Sequence, residues 1–174
     1  TVNPTFSWFH VENAHALKAI LHKHGVRITL TGHLHIQDVK EENGLYNIVT
    51  ASLAGYPHAY RILTLRDGVL DVRSRRLTSI ASEADLQRFS RNFTADAFVR
   101  IISDLLTAAP FQYARPEADA TAAKLRDWWP SIADGDKEFA YTAEELGDAA
   151  LAAYVNAFSD SPPADNDLSI ELKS

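Results

Sequence analysis

The sequence predicts an α+β protein in two units, one strand-rich over residues 1–77 and one helical over 78–160, with a linker and tail at 161–174. Three observations predict it. Short β-branched runs bounded by turn residues fill the first unit. Apolar residues recur every three or four positions in the second, behind helix-start signatures. A hydrophobic fraction of 46% in 174 residues is enough for ordinary globular cores.

The first helix is placed by Asn13 as N-cap, by Leu17, Ile20 and Leu21 at helical spacing, and by Gly25 as its stop. A strand follows at 26–30 and a β-rich run at 44–52. Residues 60–65 and 69–72 flank Asp67-Gly68, a strong hairpin signature.

In the second unit, Ser82-Glu83-Ala84-Asp85 opens a long helix whose Leu86, Phe89, Phe93, Ala97, Ile101 and Leu105 form an apolar face ending before Pro110. Pro116 and Glu117 start another, with Ala118, Ala122, Leu125 and Trp129 on one stripe as far as Pro130. Thr142-Ala143-Glu144-Glu145 is a capping box leading into Leu146, Ala150, Tyr154 and Phe158. Such helices pack as a bundle, because each must bury its apolar face. In the tail, Leu168, Ile170 and Leu172 alternate, which suits either an edge strand or a disordered end.

Chemistry concentrates in Gly32-His33-Leu34-His35, directly after the 26–30 run. In extended backbone the side chains of i and i+2 project the same way, so both imidazoles would enter one cleft as metal ligands. His58, in a turn, would face that cleft and touch substrate. Gln37 and Asp38 are the nearest groups in sequence to orient the rings. With no Cys, any metal here takes only nitrogen and oxygen ligands.

From Asn13 through Gly32-His33-Leu34-His35 to the segment 51–61 and the hairpin after it, the chain resembles the last block of the calcineurin-like metallophosphoesterases. The resemblance spans residues 12–76, and only the G-H-x-H element is specific. It implies the C-terminal piece of a metallophosphoesterase β-sandwich, followed here by an α-helical bundle domain. It further implies two divalent or trivalent cations (Mn, Fe or Zn), His33 and His35 each binding one, and a metal-bridging hydroxide that attacks a phosphoester, a phosphodiester such as a cyclic nucleotide.

None of the family's D-x-H, G-D-x-x and G-N-H-D/E blocks precedes the histidine pair, Gly135-Asp136 lies far downstream in a different kind of segment, and His10 is the one candidate for the lone histidine. The chain opens at Thr1 and contains no Met, so it reads as the C-terminal portion of a longer protein whose N-terminal part is a required partner. Alone it should be catalytically dead, because two imidazoles cannot hold a dinuclear centre whose bridging carboxylate lies elsewhere. Two alternatives stand beside this reading. One is a non-enzymatic helical interaction module with an incidental histidine pair; the other is a mononuclear zinc hydrolase with His58 or a carboxylate as third ligand. The net charge of -6 argues against a nucleic-acid partner, and no apolar run is long enough to span a membrane.

Overall fold

Asn43-Gly44 and Asp67-Gly68 each place two consecutive residues at positive φ, 53° and 80° in the first turn and 50° and 78° in the second. That geometry closes a two-residue hairpin in step with right-twisted strands. The structure, a computed structural model, describes residues 11–172; His10, the lone-histidine candidate, lies outside them.

The first turn joins β2 (Asp38–Glu42) to β3 (Leu45–Val49), and β1 (Ile28–Thr31) adds to β3 in parallel, giving the order β1-β3-β2. The second joins β4 (Ala59–Arg66) to β5 (Val69–Arg76), and β6 (Asp167–Glu171) adds antiparallel to β5, giving β4-β5-β6. The tail thus docks as an edge strand. Val39 and Ile48 of one sheet pack with Leu70, Val72 and Ile170 of the other, so the two small sheets share an apolar core. Each fully buried side chain of this kind contributes roughly 1.5–3 kcal/mol. β2 carries Asp38, Lys40, Glu41 and Glu42, and its pattern alone did not suggest a strand; pairing with β3 makes it one.

Helix α1 (Ala14–Lys23) precedes β1 and buries no residue; Leu17 and Ile20 are 42% and 56% exposed. Asn13 stands at its N-cap without a side-chain bond.

The second unit is built from α2 (Leu86–Thr107), α3 (Arg115–Lys124), α4 (Trp128–Asp134), α5 (Ala143–Leu146) and α6 (Ala149–Asn156). Ile102, Leu106, Ala118, Ala122, Leu125, Trp128 and Leu151 form its core. Inside it the Trp128 indole donates to the Val155 carbonyl at 3.2 Å. The chain as described therefore has two small sheets and six helices, an α+β architecture.

Three sequence expectations need correction here. Leu86 is buried as expected, but Phe89, Phe93 and Ile101 do not face the core and are 59%, 71% and 53% exposed, because α2 buries Ser90, Ala95, Ile102, Ser103 and Leu106 instead. α3 stops at Lys124; Pro130 falls in the first turn of α4, where its missing N–H leaves no helical bond unmade. Thr142 does form the capping box, yet the helix it starts is a single turn, and Asp148 caps a separate α6 through the amides of Ala150 and Leu151.

Candidate functional site

β1 delivers the histidines. Its parallel register with β3 ends at Thr31–Val49, and the Thr50 amide donates to the Thr31 carbonyl at 3.0 Å, which fixes the strand end. Gly32 to Gln37 then form a loop before β2, with both His33 and His35 exposed.

The expected extended backbone is not found. φ is 80° at His33 and 58° at His35, the left-handed region for both, so the alternation that would aim i and i+2 together does not apply. A non-glycine residue held there costs on the order of 1–3 kcal/mol, and such residues collect at functional sites. His58 shares the feature, at φ 54°, but is only 7% exposed. Its Nδ1 lies 3.0 Å from the Leu53 carbonyl, which can only accept, so Nδ1 donates there, while Nε2 is buried without a hydrogen-bond partner. His58 is not part of the cleft described below.

Gln37 does not serve the histidines. Fully buried, its amide donates to Ser74 Oγ at 2.8 Å and its carbonyl oxygen accepts from the Ala51 amide at 2.9 Å. Asp38 begins β2 and is half-buried.

A second concentration of chemistry sits between β2 and the segments that follow α4 and α6. A cleft of about 190 Å³ is lined by Asp38, Lys40, Lys137, Phe158, Asp160 and Asp165 among others. One oxygen from each of Asp38, Asp160 and Asp165 lies within 4.8 Å of the others, so three carboxyl groups crowd one place. Both Asp165 oxygens already accept backbone amides, from Val39 at 2.8 Å and Asp136 at 3.0 Å, and Asp38 hydrogen-bonds to the same carboxyl. Burial is the main force pushing up both Asp38 and Asp165, the latter to about 7. Arg61 faces this group with its Nη2 on the Val49 carbonyl at 2.8 Å and its Nε and Nη1 buried without hydrogen bonds.

Among the described residues neither His33 nor His35 belongs to a group of three or more ligand-type side chains. The acidic group was invisible in the sequence. Asp165 reads there as part of a Pro-rich linker, and it meets Val39 across 126 positions of chain.

No family model and no curated protein matches the chain. Among solved structures, a Vps29 double mutant from Entamoeba histolytica is a weak neighbour, at 24% identity and a TM-score of 0.30, covering 41% of this chain and 43% of that one.

Proposed function

We propose that the chain is the C-terminal part of a metal-dependent phosphoesterase, in which His33 and His35 supply the imidazole ligands of a two-metal centre and a preceding segment of the same protein supplies the carboxylates. One observation carries this reading: both histidines are exposed, in left-handed backbone, on the loop that leaves the carboxyl end of a parallel strand. Ligands of open α/β sheets bind outside such strand ends.

Two nitrogen donors fit the imidazole share of a dinuclear site; they do not fit a complete one, since among the described residues neither belongs to a group of three or more ligand-type side chains. Neutral imidazole binds a cation without adding charge that would repel a phosphate. Bound metal ions of this class (Mn, Fe or Zn) would lower the pKa of a coordinated water and neutralise phosphoryl oxygens. The flanking surface also fits an absent neighbour. β1 is an edge strand with Leu30 61% exposed, and Leu17 and Ile20 of α1 stand uncovered, whereas parallel strands are ordinarily covered on both faces. A phosphodiester is the proposed substrate class, and His58 a proposed substrate contact once the neighbour is in place.

The test compares the full reading frame with the 174-residue chain, each with Mn²⁺ and bis-p-nitrophenyl phosphate. The long form should hydrolyse it, His33→Ala and His35→Ala should each lower the rate by at least about tenfold, and the short chain should be inert. A long form indifferent to both substitutions, or a short chain active above its own His33→Ala variant, would refute the reading.

A second reading rests on Phe89 and Phe93, whose exposed rings on α2 suit a protein-interaction module. A long form without metal-dependent hydrolysis, yet with a protein partner lost on Phe93→Asp, would favour it.

A further inference from the structure

Asp38 and Asp165 meet where the strand-rich unit touches the helical one, and their contact is part of a reciprocal stitch. The Asp165 carboxyl accepts the amides of Val39 in β2 and Asp136 after α4, while the Asp136 carboxylate accepts the amides of Asp165 at 2.6 Å and Asn166 at 3.2 Å. The loop bearing His33 and His35 runs directly into this join, since Gln37 also donates its amide to the Ala133 carbonyl at 3.0 Å.

We propose that the Asp38–Asp165 carboxyl pair is a pH-sensitive clasp, in which one shared proton holds β2 against the segment after α4 and loss of that proton loosens the join. Like charges this close, with Asp165 only 4% exposed, cannot both ionise without cost. Asp160, within 4.8 Å of both, adds a third negative group.

Opposing charge answers only in part. Lys40 on β2 lies 3.8 Å from Asp38, and Lys137 lines the cleft. Arg61 on β4 donates to the Val49 carbonyl, and Arg76 on β5 is held by Asp134 at 2.6 Å. Asp167 is engaged with the Ser74 amide at 2.8 Å.

Burial pushes Asp165 up to about 7, against its two amide bonds and with the charges of Asp38 and Asp160 adding to the rise. A carboxyl whose folded pKa lies above its unfolded value binds more protons when folded. Its contribution is complete below the unfolded value of 3.8 and is lost as pH rises through about 7. The pair titrates as a unit, so the midpoint belongs to both residues.

The experiment is amide hydrogen exchange on the whole 174-residue chain, read as protection factors at Val39 and Asp136 between about pH 5 and about pH 8. Both factors should fall by about tenfold across the window, the effect of a single pKa unit. In Asp38→Asn the side-chain amide can donate to Asp165 at every pH and one of its two like-charged neighbours is gone, so the factors should fall clearly less. Wild-type factors that do not change, or an Asp38→Asn variant that keeps the full fall, would overturn the clasp. Should Asp38→Asn fail to fold, Asp160→Asn decides: the midpoint should move to lower pH, and an unmoved midpoint would count against the proposal.

Discussion

Gly135 lies against Asp165 so closely that a Cβ on the glycine would stand 2.9 Å from the Asp165 Cβ and 3.0 Å from the Gln37 carbonyl oxygen. Its backbone, at φ 77° and ψ 172°, occupies a region open essentially to glycine alone. Gly135→Ala should therefore combine backbone strain with a collision at the join between units, costing about 2 kcal/mol or more. In thermal denaturation followed by circular dichroism this means a fall in Tm of several degrees; an unchanged Tm would contradict the close approach.

Leu106 and Phe93 sit on the same helix with opposite fates, one fully buried and the other 71% exposed. Leu106→Ala should cost about 2–5 kcal/mol through lost burial and the cavity left behind. Phe93→Ala should stay within about 0.5 kcal/mol of wild type. Urea unfolding of the two variants checks the pair, and similar losses would mean that α2 buries a different face.

Tyr113 donates its phenol to the Asp148 carboxylate at 2.8 Å, and burial, this bond and the nearby negative charge push its pKa up from 10.0 to about 12. The folded state holds this proton more tightly than the unfolded chain. The stabilisation is present below about pH 10 and disappears as pH rises through about 12. Spectrophotometric titration should show a late phenolate step that is missing in Tyr113→Phe and shifted to lower pH in Asp148→Asn. A Tyr113→Phe variant that retains the late step would refute the assignment.

Local chemistry was legible wherever one short segment decides its own shape. The Asp67-Gly68 hairpin, the Thr142–Glu145 capping box and the strand preceding the histidines all follow from residues within a few positions of one another. Helix faces were less legible, since Phe89 and Leu86 are equally good core candidates until the packing of α3 and α4 against α2 chooses between them. The histidine pair was found by spacing, but the left-handed backbone at both positions could not be read from Gly32-His33-Leu34-His35.

What the amino-acid order by itself determined is the set of segments with their turns and caps, and the presence of two nitrogen donors at a strand end. The tertiary structure alone decided that a polar stretch, 38–42, becomes a strand, that an apolar stripe on α2 faces outward, and that Asp165 ends up beside Asp38. The reason is range. Turn and cap preferences act through bonds and contacts a few residues apart, whereas strand pairing, burial and carboxyl pKa values depend on which distant surfaces exclude water from one another.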